Sequence, residues 1–308
     1  MNTGTNQIPV ATNGVSIQTG RIDSWHVAEE WQDRFGEIAS AVDWLNLAGD
    51  PRAQLVKANP NRQVWRLHAG GRGWYVKVYN PADWRDRLRC LLRGDNAWHE
   101  WQAGVNARSL HVPCVEPVAC GQKRQGLGNL TGVLILAEAP QAQPLPEVWR
   151  NVRRLADGRE RFHAMAAVSE ALGDLLAKSH EAGFMHRDGH PGNILLQAIA
   201  DDPLRALYAD LYGAAVGRAV WPEAAAGNLA ELHQWFRRHA SRSTRLRFLR
   251  HYLGRRFGDS TATGGALRQW VSNLERRRSD HAGRLWRKRD RRLGRQGTYF
   301  SGIALNGG

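Results

Sequence analysis

A chain of 308 residues, 42% of them apolar, is long enough for one large or two medium domains around a real core, and its composition excludes a broadly disordered protein. No apolar run reaches the length of a transmembrane span. Cys90, Cys114 and Cys120, odd in number and without a Cys-x-x-Cys pair, argue against a disulfide framework or a structural zinc site and fit a reducing compartment. A formal net charge of +14 favours anionic partners: nucleic acid, acidic lipid or a phosphorylated sugar.

Residues 1–20 are polar and rich in Thr, Asn and Gly, with no basic start followed by an apolar core. The segment 1–23 therefore reads as a flexible leader and not as a secretory signal. From Ser24 to Leu47 apolar residues recur at helical spacing, which predicts a helix capped by Ser24 and ended by Gly49-Asp50-Pro51. Short strands follow at Gln54–Lys57 and Gln63–His68. A glycine turn at residues 69–73 leads into a third, Trp74–Tyr79, with Trp74, Val76 and Val78 on one face and Tyr75, Lys77 and Tyr79 on the other. Asn96–Leu110 reads as a helix whose acid is Glu100. The basic stretch Arg85–Arg93 before it has no assigned role. Val115–Ala119 is a strand candidate, Gly121–Asn129 a polar hairpin turn, and Gly132–Glu138 a buried strand ending in an acid. Arg159–Ala182 returns to helical period with a broad apolar face, and Gly183 stands at its C-terminal cap.

That helix delivers the stretch around which the chain is organised, Phe184-Met185-His186-Arg187-Asp188-Gly189-His190-Pro191-Gly192-Asn193, followed by an apolar strand at Ile194–Leu196. A polar loop held between buried elements is where catalytic side chains are displayed. His-Arg-Asp followed at a fixed distance by Asn is the pattern of the catalytic loop of kinase-type phosphotransferases. On that pattern Asp188 accepts the proton of the attacking hydroxyl and Asn193 offers a hard oxygen to Mg²⁺. His186 and Arg187 support the loop. Further on, Asp210 ends a strand-like run and precedes Leu211-Tyr212-Gly213, the form and position of an Asp-Phe-Gly element, and is the candidate principal Mg²⁺ ligand. Lys77 is the candidate for the α- and β-phosphates, with Glu100 as the carboxylate that holds it extended. Glu138 would open a hinge, Glu138-Ala139-Pro140, whose backbone meets adenine.

Together these residues resemble the protein-kinase-like superfamily, and within it they are most similar to the bacterial lipopolysaccharide core kinases that phosphorylate heptose or Kdo sugars. The resemblance runs from Gln54 to Arg292 and includes Ser243–Leu253 and Leu285–Arg289, which look like that family's C-terminal helices. It implies an α+β, two-lobed fold: a β-rich N-lobe over 24–138, a hinge and linker over 139–147, and a helical C-lobe over 148–308. It also implies ATP and Mg²⁺ as cofactors, an anionic glycolipid or phosphorylated sugar as acceptor, and a cytoplasmic enzyme peripheral to the inner membrane. There are departures. No Gly-x-Gly-x-x-Gly lies between the first strands. Ala58–Arg62 is there instead, with Arg62 the candidate phosphate contact. His190 replaces the lysine of many protein kinases and points to a small-molecule acceptor, yet His190-Pro191-Gly192-Asn193 also occurs in aminoglycoside and choline kinase-like enzymes. A protein or aminoglycoside-type kinase, and a pseudokinase that docks on membrane or nucleic acid, are the rival readings.

From Leu229 to Arg295 the chain reads as helical and heavily basic, with few acids nearby and with Trp270 and Trp286 interleaved. Arginine with tryptophan beside an apolar stripe suits an anionic membrane surface. Solvated helix faces are the plain alternative. Without a recognised nucleic-acid fold, nucleic acid is not the expected partner.

Overall fold

A computed structural model of the chain describes residues 22–81, 83–125, 129–199 and 202–277. The leader up to residue 21, Trp286 and the basic runs Leu285–Arg289 and Arg287–Arg292 lie outside the described residues.

The first element corrects the sequence reading. Ser24–Val27 is a strand, β1, and Ser24 caps no helix. Ser24↔Gln122 to Val27↔Ala119 pair antiparallel, and Trp25 and Val27 alternate inward with period two. The helical spacing begins only later, in a short 3₁₀ turn at Glu29–Trp31 and in α1, Gln32–Ser40. Trp25 meets Phe35 edge-on at 5.0 Å and Trp44 at 5.8 Å, so strand and helix bury their rings in one cluster. Sequence spacing over such a short window could not separate the two periods.

A meander follows: β2 (Ala53–Asn59), β3 (Arg62–Ala69) and β4 (Arg72–Tyr79). Gly70 and Gly71, both with positive φ, make the last turn. The expected faces of β4 hold. Trp74, Val76 and Val78 join the cluster with Trp25 and Phe35, while Tyr79 packs on the other side. The basic stretch forms α2, Trp84–Arg93, and α3 spans Asn96–Ser109. Asp95 caps α3 by accepting the Trp98 N–H at 2.8 Å.

The next hairpin is also corrected. Strand β5 runs from Pro117 to Gln125 and β6 from Asn129 to Ala137, so Gly121 to Gln125 is paired strand and not turn. Gly121 is there for Trp25: a Cβ at 121 would lie 2.6 Å from the indole ring. The six-stranded sheet has the order β1-β5-β6-β4-β3-β2.

Residues 141–147, read as a linker from sequence, hold β7 (Ala142–Pro144) and the first turn of α4 (Leu145–Arg154). Then comes α5, Gly158–Glu181, followed by the short strands β8 (Phe184–Met185), β9 (Ile194–Gln197), β10 (Arg205–Tyr208) and β11 (Ala215–Val216). Helices α6 (Pro222–His239), α7 (Arg242–Phe257) and α8 (residues 264–277) complete the described chain. Leu172, Leu175, Leu229, Leu249, Tyr252 and Leu274 close the core of this helical region.

The basic helices are less free of acids than the local sequence suggests. Glu275 on α8 meets Arg237 at 3.1 Å and His233 at 3.0 Å, and Asp174 on α5 meets Arg255 and His251, each at 2.9 Å. Trp270 packs against Tyr252 and Phe257 and is half-buried against the helical core. Tertiary packing brings these groups together from elements far apart in sequence.

Candidate active site

The loop is held by its ends. α5 stops at Gly183, whose φ of +77° suits glycine and where a side chain would collide with the Gly217 carbonyl. Strand β8 follows, pairing with β11, and a 3₁₀ turn at Pro191–Asn193 hands the chain to β9. His190 closes that turn by accepting the Gly192 N–H at 3.0 Å.

His186 is the loop's buried pivot. Its ring is 2% exposed and stacks on Tyr208 with centroids 5.0 Å apart. Nδ1 accepts the Asp188 N–H at 3.3 Å, so the proton is on Nε2, which donates to the Asp210 carbonyl. One imidazole therefore ties the two predicted acid-bearing segments together. From α6, Asn228 donates to the His186 carbonyl at 2.6 Å and Glu231 accepts the Gly189 N–H at 2.8 Å. The Asn193 amide nitrogen donates to the Asp188 carbonyl at 3.1 Å and to its Oδ2 at 3.2 Å. Asp188 itself is exposed.

The second group is carried by β4, α3 and the segment after β10. Lys77 and Glu100 are buried, 5% and 2% exposed, with Nζ 2.5 Å from Oε1. Tyr79 donates to Glu100 Oε2 at 2.5 Å, and the Leu211 N–H reaches Oε1 at 3.3 Å. Lys77 Nζ lies 3.7 Å from Asp210 Oδ1, and Arg62 donates to Asp210 Oδ2 at 3.0 Å. Burial alone would raise the Asp210 carboxyl, but the charges of Lys77 and Arg62 outweigh it and hold it below the usual carboxylate range. Burial and the neighbouring Glu100 push the Tyr79 phenol well up, which keeps it a donor.

Five of the six predicted residues thus form two linked groups: Lys77, Glu100 and Asp210, and Asp188 with Asn193. Glu138 stands apart from both. Its N–H donates to the Gly73 carbonyl at 3.0 Å and its carboxylate meets Arg66 at 2.8 Å. Sequence reasoning did not find Asn228 or Glu231 as loop supports. Neither belongs to a motif, and only the path of α6 brings them to the loop. Tyr79 had a signal, since it shares a strand face with Lys77.

A buried lysine on a β-sheet paired with a buried glutamate on a helix, a half-buried aspartate just after β10 and an exposed aspartate–asparagine loop on a helical body have the arrangement of a protein-kinase-like phosphotransferase. Residues 55–252 match the model of the lipopolysaccharide kinase (Kdo/WaaP) family, and the chain belongs to that family. It is 25% identical over 221 residues to the lipopolysaccharide core heptose(I) kinase WaaP of Pseudomonas aeruginosa, a match that covers 68% of this chain and 80% of the relative. It is 32% identical over 149 residues to the 3-deoxy-D-manno-octulosonic acid kinase of Xanthomonas oryzae pv. oryzae, covering 42% of this chain and 54% of that one. Among solved structures, WaaP in complex with acyl carrier protein superposes with a TM-score of 0.58 at 21% identity, covering 83% of this chain and 98% of that chain. The fold is two-lobed and protein-kinase-like, and the enzyme is a phosphotransferase acting on an alcohol group.

Proposed function

We propose that the chain transfers the γ-phosphoryl group of ATP to a sugar hydroxyl of lipopolysaccharide core, with Asp188 as base. The observation that carries this reading is the joining of two clusters. The Lys77–Glu100–Asp210 group is tied through the His186 ring to the loop that displays Asp188. Phosphoryl transfer needs little more than positioning and charge neutralisation, and these residues supply both. Lys77 holds the α- and β-phosphates and Glu100 fixes its direction. Asp188 orients the acceptor hydroxyl and takes its proton. Just past the end of β6 the Glu138 N–H is already bound to Gly73, which leaves the Glu138 carbonyl to accept from the adenine amino group.

The donor set suits Mg²⁺. Among the described residues no three His, Cys, Asp or Glu side chains converge as a metal cage. Mg²⁺ favours one or two protein oxygens, with phosphate and water completing its shell. Asp210 offers a carboxylate held ionised. Asn193, its nitrogen turned to Asp188, offers its amide oxygen. The ion would neutralise charge on the transferring phosphates.

The acceptor is read as an anionic glycolipid at the cytoplasmic face of the inner membrane. The net charge of +14 and the exposed Arg238, Arg242 and Arg250 on α6 and α7 support peripheral contact with an anionic surface. Among the described residues no helix is long and apolar enough to cross a membrane. The test of the base is Asp188→Ala. Phosphate transfer to purified lipopolysaccharide core should fall by about 10²–10⁴-fold, while Mg·ATP affinity stays within about threefold by calorimetry. Turnover near wild type would refute Asp188 as base.

A further inference from the structure

Asp210 meets two cations, one on each carboxylate oxygen. Lys77 is near Oδ1, and Arg62 donates to Oδ2 at 3.0 Å. Arg62 opens β3, at the tip of the hairpin where a glycine-rich motif is missing. Its side chain is only 20% exposed, and its guanidinium carbon lies 5.9 Å from the centre of the Tyr79 ring. Tyr79 is bonded to Glu100, Glu100 to Lys77, and Lys77 faces Asp210. Arg62, Tyr79, Glu100, Lys77 and Asp210 therefore close a ring with two cations and two carboxylates.

That ring is neutral, and a metal nucleotide would disturb it. A divalent ion liganded by Asp210 competes with Arg62 for the same carboxylate. A triphosphate carrying one Mg²⁺ still has about two negative charges to neutralise. Lys77 is one cation for that task. Arg62 is the other one in the ring, and its planar fork matches phosphate oxygens better than an ammonium does.

We propose that Arg62 is a nucleotide-binding residue that changes partner: metal ion displaces it from Asp210, and it moves to the terminal phosphates, taking the place of a glycine-rich loop. This rests on the nucleotide site proposed above.

Arg62→Met separates the two halves of the exchange. Calorimetry with Mg²⁺ and a non-hydrolysable ATP analogue should show about tenfold weaker binding, the loss of one charge-assisted contact. The loss for Mg·ADP should be smaller. Mn²⁺ binding to the protein without nucleotide, followed by electron paramagnetic resonance, should instead tighten several-fold, because the competitor for Asp210 is gone. Opposite signs are the signature, since a merely structural arginine would weaken both. Arg62→Lys, intermediate in both assays, serves if circular dichroism shows that the Met variant has lost its fold. Nucleotide affinity equal to wild type, or Mn²⁺ binding that is unchanged or weaker, overturns the proposal. If the wild-type protein binds no metal nucleotide, the nucleotide site itself fails. If it binds and Arg62→Met binds equally, only the role of Arg62 fails.

Discussion

Glu100 shows what a single residue does at this site. It is 2% exposed and receives Lys77, Tyr79 and the Leu211 backbone. A buried ion pair is weak evidence for stability, because desolvation offsets much of the attraction. Removing one member is costly, because the other charge stays behind. Glu100→Ala should destabilise the fold by about 3–5 kcal/mol in urea denaturation. Glu100→Gln keeps one acceptor oxygen, enough for Lys77, and turns its amide nitrogen to the Tyr79 oxygen, so it should lose less stability than the Ala variant while KM for ATP rises. A stable Ala variant with unchanged KM would refute the positioning role. At this scale much was legible. Lys77 and Glu100 were legible because Lys77 lies on the third strand predicted ahead of the loop motif and Glu100 is the lone acid of the helix that follows, both local patterns. Asn228 and Glu231 were not, because a hydrogen bond between α6 and the loop leaves no local trace.

At the scale of elements, the corrections share a cause. In Ser24–Val27, Trp25 and Val27 alternate as in a strand, while Val27 also continues at helical spacing to Trp31 and Phe35, and pairing with β5 decides the matter. Gly121 looked like a turn signal, yet its missing side chain admits the Trp25 ring into the sheet face. The prediction at this scale is Gly121→Val. A side chain forced against a fully buried indole should cost about 1–3 kcal/mol, and the melting temperature should fall with it. A variant as stable as wild type would mean the ring has room to move. The long helix α5 was legible nearly to its ends, because its apolar face repeats over many turns and Gly183 ends it.

At the scale of the whole molecule, a polar chain crosses the helical core to the loop. Arg256 donates to the Tyr252 hydroxyl at 2.6 Å, and Tyr252 meets His180 Nδ1 at 2.9 Å. His180 Nε2 meets Asn228 Oδ1 at 3.0 Å, and Asn228 donates to the His186 carbonyl. Since the Asn228 nitrogen is the donor to His186, its oxygen accepts, and His180 is the neutral Nε2–H tautomer. Burial pushes the His180 ring down from 6.5 to about 4, with the Asn228 bond opposing only in part. A histidine whose folded value is lowered contributes its full stability above its unfolded value. That contribution is lost as pH falls from 6.5 towards about 4. The loss is on the order of 3 kcal/mol at the bottom of that window. Thermal unfolding of wild type should weaken across it. His180→Gln should be less stable near neutrality but flatter through the same range. Equal slopes for the two proteins would remove His180 as the source.

The amino-acid sequence alone determined the chemistry on offer: the loop with Asp188 and Asn193, the strand lysine, the helix acid, the downstream aspartate and the strongly basic balance. Those signals are local, set by spacing and side-chain type. Only the tertiary structure decided which groups meet. It bound Arg62 to Asp210, tied the loop to α6, packed Trp270 against Tyr252 and paired tail arginines with Glu275 and Asp174. Charge pairs and buried hydrogen bonds depend on where distant elements cross, and packing, not local spacing, sets those crossings.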